Sequence, residues 1–130
     1  MNEFQTVLMP TLSVRRGAEA IEFYKNAFGA VELMRVADPD GAVVAEMSID
    51  GARFFLADES PAYGNFSPET IGGSTTRMGL FVADPDAAAR QAIAAGAIEV
   101  YPVADQNYGY RLGRVLDPYG HHWEIAKKIE

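Results

Sequence analysis

The sequence predicts an α+β fold: two βαβββ modules in pseudo-twofold repeat, forming a cleft. Two observations predict it. First, the chain repeats itself. Phe28-Gly29-Ala30-Val31-Glu32 returns 67 positions on as Ala95-Gly96-Ala97-Ile98-Glu99, and Leu12-Ser13-Val14 returns 68 positions on as Leu80-Phe81-Val82. The offset is about half of the 130 residues, the signature of a duplicated unit. Second, each half reads in the same order: a strand ending in Leu-x-Val, a helix closed by Gly-Ala, then three strands set apart by turn residues. Residues 1–130 thus make a single domain, with modules 5–58 and 75–128 joined by a linker, 59–74.

In the first module, Thr6 to Val14 alternates as a strand. Met9, Thr11 and Ser13 share one face; Leu12 and Val14 share the other. Pro10 marks an edge or a bulge, because it has no N–H for a ladder. A helix follows from about Ala18 to Phe28, with Ile21, Tyr24 and Phe28 as its apolar stripe and Gly29 as its C-terminal cap. Strands at Ala30–Ala37, Ala42–Ile49 and Ala52–Ala57 are separated by Asp38-Pro39-Asp40-Gly41 and Asp50-Gly51 turns.

Glu59 to Thr75 carries Pro61, Gly64, Pro68, Gly72 and Gly73 with little periodicity, and reads as the linker. The second module then starts with a strand at Thr76–Val82. Asp84 and Pro85 are placed to cap a helix and occupy its first position. Ala89, Ala92 and Ile93 are its expected inward residues. Strands at Ile98–Val103, Tyr110–Leu116 and His122–Ala126 complete the repeat, the last two joined by Asp117-Pro118-Tyr119-Gly120. Trp123 falls on the opposite strand face from Glu124 and is expected in the core.

Composition narrows the function. Hydrophobic residues make up 48% and charged residues 22%, which is a globular balance. No run approaches the roughly 20 apolar residues of a membrane span, and Met1 to Gln5 shows no signal-peptide pattern. The absence of cysteine removes disulfides, thiolate metal sites and cysteine nucleophiles, and fits a cytoplasmic address. A net charge of −7, with scattered basic residues, argues against a nucleic-acid partner.

The paired modules, with Asp117-Pro118-Tyr119-Gly120-His121-His122-Trp123-Glu124 near the C-terminus, resemble the vicinal oxygen chelate superfamily. It contains glyoxalase I, bleomycin-resistance proteins, extradiol dioxygenases and fosfomycin-resistance enzymes, and the resemblance spans nearly the whole chain. Three segments look like its PhnB-like subgroup. They are Pro10-Thr11-Leu12, the segment from Ala20 to Ala30, and the segment from Gly109 to Trp123. The resemblance implies a glyoxalase/bleomycin-resistance-like fold, and a homodimer in which a cleft can draw residues from both chains. It also implies, for the enzymes, a divalent metal held by ligands from the first and last strands of each module.

The repeat locates those four ligand positions here. Counting back from each Leu-x-Val gives Met9 and Arg77; the fourth strands give Phe55 and Glu124. Only Glu124 suits a hard cation, since such cations want oxygen or imidazole ligands and Arg77 brings a fixed positive charge. The expectation is therefore no resident cofactor, with Arg77 pairing Glu124 across the cleft. The alternative is a metal shifted onto His122 and Glu124, which lie two apart on a strand and so share a face.

The function expected first is metal-independent binding of a small molecule by a cleft lined with Met9, Phe55, Arg77, His122 and Glu124. The alternative is a metal-dependent lyase, isomerase or dioxygenase, with Glu124 and His122 at its centre. A third reading is a structural module whose cleft is closed by its own side chains. Tyr63 and Phe66 on the linker, and Tyr108, Tyr110, Arg111 and Arg114 on the last hairpin, are further candidates for ligand or partner contact.

Overall fold

The computed structural model describes residues 3–130; Met1 and Asn2 of the N-terminal reading lie outside them. The first module comprises β1 (Thr11–Val14), α1 (Gly17–Phe28), β2 (Val31–Ala37), β3 (Val43–Ile49) and β4 (Ala52–Asp58). A 3-10 turn at Pro61–Tyr63 and the short helix α2 (Pro68–Ile71) bridge to the second module. That module comprises β5 (Arg77–Phe81), α3 (Pro85–Ala95), β6 (Ile98–Asp105), β7 (Tyr110–Leu116) and β8 (His122–Lys128).

Each module folds into its own four-stranded sheet, ordered β1-β4-β3-β2 and β5-β8-β7-β6. The duplication extends to register. In each sheet the first strand runs parallel to the last: Thr11 stands opposite Phe55, and Gly79 opposite Glu124. These pairs are equivalent positions in the two copies, so Phe55 and Glu124 occupy matching slots.

Helix starts follow local chemistry. Asp84 caps α3, its carboxylate accepting the Ala87 N–H at 3.1 Å, with Pro85 in the first turn. At α1 the cap comes from across the sheet. Asp58, at the end of β4, accepts the N–H groups of Gly17 at 2.8 Å and Val43 at 2.7 Å. Gly29 ends α1 in a left-handed conformation with φ of 68°, which favours a residue lacking Cβ.

Three expectations need correction. The first strand begins at Thr11 rather than Thr6. Pro10 takes part only as an acceptor, its carbonyl receiving the Phe55 N–H at 2.8 Å, and Leu8 before it is 94% exposed. Ile93 is not inward; it is 38% exposed, while Ala89 and Ala92 bury. The last strand does not stop at Ala126; β8 continues through Lys127 and Lys128, opposite Arg111 and Tyr110.

α1 packs on β2–β4, α3 packs on β6–β8, and the two helices pack on each other. The sheets also meet directly. β4 and β8 are inner strands of separate sheets, yet the rings of Phe54 and Trp123 lie 5.8 Å apart, with Tyr24 of α1 touching both. The sheets therefore fold toward each other on their helix-bearing side. That space is the core, filled by Trp123, Tyr24, Tyr119, Ile21, Met47 and Leu56. Asp117 is buried within it, accepting hydrogen bonds from Trp123 Nε1, Tyr24 Oη and the N–H groups of Tyr119 and His121. Burial, with the Asp117 carboxylate alongside, pushes the Tyr24 hydroxyl well above its usual pKa, so it stays a donor.

Candidate functional site

Side chains alternate along a strand, so whatever follows a core residue points away from the core. Phe55 follows Phe54, and Glu124 follows Trp123. The helix-bearing faces converge, so the faces carrying Phe55 and Glu124 diverge. Within one chain the four expected positions thus fall into two separate pairs. Met9 and Phe55 belong to the outer face of the first sheet; Arg77 and Glu124 belong to that of the second.

On the first face, Met9 is half-buried just ahead of β1, and Phe55 is half-buried between Thr11 and Glu46 on the neighbouring strands. Glu46 pairs with Arg53 at 3.1 Å. Met34, Val36 and Val44 extend this face as exposed apolar residues.

The second face carries the charge cluster. Arg77 opens β5 opposite His122, which opens β8; Glu124 stands two residues on, flanked by Gly79 and Arg114. Glu124 Oε2 meets Arg77 Nε at 3.3 Å and Arg114 Nη2 at 2.8 Å. The expected Arg77–Glu124 pair is present, but it lies along one sheet face, on adjacent strands, rather than across a cleft. Burial pushes the Glu124 carboxyl up, and the Arg114 hydrogen bond and the charges of both guanidiniums outweigh it, leaving its pKa below the ordinary value. The Arg114 guanidinium also lies over the Tyr101 ring, 5.1 Å from its centroid. His122 Nδ1 and Arg114 Nε are buried without a hydrogen-bond partner.

Arg114, expected only as a hairpin candidate for ligand or partner contact, joins this cluster, and Tyr101 was missed. The signal for Arg114 was available in the Asp117-to-Gly120 turn. That turn sets Leu116 opposite His122, which brings Arg114 opposite Glu124. Tyr101 had no such signal, because β6 pairs with β7 through two register shifts. His121 is not in the cluster: its Nε2 lies 2.9 Å from the Ser13 carbonyl, tying the last turn to β1. Tyr63 and Phe66 are exposed on the linker, as expected for loop aromatics.

A divalent cation is the group that this arrangement must be tested against. The four positions offer a thioether, a phenyl ring, a guanidinium and one carboxylate, and that carboxylate's Oε2 already faces two guanidiniums. Among the described residues no group of three or more His, Cys, Asp and Glu side chains is arranged to hold a metal ion. This donor set does not fit a hard divalent cation.

Comparison with known proteins now agrees with the duplicated sheets. Residues 11–59 match the family model described as Glyoxalase At5g48480-like, N-terminal domain. The Mycobacterium bovis protein Mb0911c, itself uncharacterized, is 40% identical over 129 residues, covering 96% of this chain and 85% of its own. The chain belongs to the glyoxalase/bleomycin resistance/dioxygenase superfamily. The Arabidopsis thaliana protein At5g48480 is 31% identical over 135 residues, covering 97% of this chain and 79% of its own. The X-ray structure of that protein superposes with a TM-score of 0.70 at 28% identity, covering 95% of this chain and 98% of that one. A more distant structure shares the fold alone. It is the fosfomycin resistance protein FosX from Listeria monocytogenes, complexed with Mn(II) and sulfate. Its TM-score is 0.71 at 15% identity, covering 96% of this chain and 93% of that one.

Proposed function

We propose that this chain is a metal-independent small-molecule-binding protein of the glyoxalase/bleomycin resistance type, of the PhnB-like subgroup within that superfamily. One observation carries the reading: at the position where a metal would be ligated, Glu124 Oε2 faces Arg77 and Arg114. The guanidiniums supply positive charge where the cation's charge would be.

The protein acts as a homodimer. Each chain offers the two halves of a site on diverging faces, and a twofold axis brings the first-sheet face of one copy over the second-sheet face of the other. The exposed apolar residues of both faces, among them Val36, Val44 and Phe81, support this. So assembled, the apolar half from Met9 and Phe55 covers the polar half from Arg77, His122 and Glu124. An apolar lining with a few convergent polar groups is the usual anatomy of a ligand site. Among the described residues no helix is long and apolar enough to cross a membrane. We place the protein in the cytoplasm, on the absence of cysteine.

The other reading, a metal-dependent lyase, isomerase or dioxygenase, draws on His122 and Glu124 sharing a strand face and on the unpartnered His122 Nδ1. Metal analysis of untagged protein, then titration with Ni, Zn, Mn and Fe(II), separates the two. Binding without chemistry predicts no stoichiometric metal and no thermal shift. One equivalent of any ion, lost in His122→Ala and Glu124→Ala, would replace the binding reading with the enzymatic one.

A further inference from the structure

Two arginines of this chain pair fully with carboxylates. Arg111 spends three N–H groups on Asp86 and Asp105, and Arg35 grips both oxygens of Glu32. The Glu124 cluster is different. Two guanidiniums share one carboxylate oxygen, so positive charge exceeds negative. Arg77 is further underused. Its guanidinium meets Glu124 at 3.3 Å through Nε, and among the described residues no other side chain pairs with that guanidinium. More than half of its side chain is exposed, so these donors are accessible. Arg114 spends a single N–H on Glu124, and its Nε is left unpartnered.

We infer that the Arg77–Arg114 pair receives an oxyanion, the carboxylate, phosphonate or phosphate group of a small organic molecule. The inference rests on the binding function proposed above and specifies its ligand as an anion. A guanidinium is planar with forked donors, which match an oxyanion's geometry and charge together. Glu124 orients the two forks and offsets part of their charge, leaving a local excess for the ligand. The exposed Tyr101 ring beside Arg114 is a surface for the ligand's apolar body. In a protein of net charge −7, such an isolated positive spot localises anions to one place.

The test is calorimetric titration of the full chain with three probes: phenylphosphonate, benzoate and benzyltrimethylammonium. Phenylphosphonate and benzoate bind and the ammonium does not, with affinity falling as salt rises. Arg77→Gln, at an exposed position that leaves the fold intact, weakens phenylphosphonate about tenfold or more, the loss of a charge-assisted contact. Glu124→Gln tightens it, because both guanidiniums lose their competing carboxylate. If only the ammonium binds and Glu124→Gln abolishes it, the anion assignment is overturned while metal-independent binding stands. Failure of both anions to bind overturns the anion assignment as well. Failure of the binding function itself would show separately, as a stoichiometric metal in the ion titration.

Discussion

Trp123 Nε1 donates to the carboxylate of Asp117 at 2.9 Å, inside a core otherwise built from apolar and aromatic side chains. Asp117 is the one acidic residue buried among those described, at 3% exposure. It holds the β7–β8 turn closed through two backbone N–H groups and fixes Tyr24 and Trp123 through their polar tips. Each donor left unsatisfied in a buried setting costs about 1–3 kcal/mol. Asp117→Ala strands four at once and is expected to destabilise the fold by at least about 3 kcal/mol, read from urea unfolding. Asp117→Asn keeps an acceptor and should cost less. A change below about 1 kcal/mol for alanine would show that water replaces the carboxylate.

Gly17 lies where α1 leaves β1, and it is required for space rather than for backbone freedom. A Cβ there would come within 2.6 Å of both Asp58 Oδ2 and Val43 Cγ2. Gly17→Ala is therefore expected to displace the Asp58 carboxylate that caps α1 and Val43. The combined overpacking and lost cap should cost about 2–4 kcal/mol. Thermal unfolding of Gly17→Ala and Asp58→Ala, alone and together, checks it. The two changes should be far from additive, because they act on the same contact.

The architecture was legible because both modules write it independently. Leu-x-Val, the glycine caps at Gly29 and Gly96, and the turn residues each appear twice, so one local ambiguity was resolved by its copy. Pro10 shows where this stops. The alternation of Thr6 to Val14 continues through it, but a residue without an N–H cannot extend the ladder, and pairing begins at Thr11. Ile93 fits the helical stripe by spacing, yet the inward face of α3 is already met by Ala89 and Ala92 against α1 and its own sheet. The four slots were found by counting. Their division between diverging faces was not, because periodicity says which residues share a strand face but not how two sheets are folded against each other. The Phe54–Trp123 contact settles that, and no spacing encodes it.

Glu32 sits between Lys25 and Arg35, at 3.1 Å and 2.7 Å. The Arg35 hydrogen bond first, and the Lys25 bond second, hold its pKa at about 2, down from 4.5. A carboxyl whose folded pKa is depressed contributes stability above its unfolded value and loses it as pH falls through the folded one. The contribution of Glu32 should be complete above about pH 5 and decline between pH 4.5 and 2. Urea midpoints of the wild type and Glu32→Gln should differ at pH 7 and converge toward pH 2. High salt should shrink the difference, since this cluster is near the surface. A gap unchanged at low pH would mean that the glutamine disrupts packing rather than charge.

If a site takes Met9 and Phe55 from one chain and Arg77 and Glu124 from another, two damaged chains can repair each other. Light scattering should first show two chains per particle at micromolar concentration. Phe55→Ala and Arg77→Gln each lower the affinity of both sites in their own homodimer for an anionic probe such as phenylphosphonate. When the two proteins are mixed, unfolded and refolded together, about half of the dimers carry one copy of each, by random pairing under twofold symmetry. In such a dimer one site receives both changes and the other neither. About one quarter of all sites therefore regain full affinity. Titration should resolve that fraction as a tight class absent from either parent. If every site instead lies within one chain, mixing restores nothing and only the two weakened parental affinities appear.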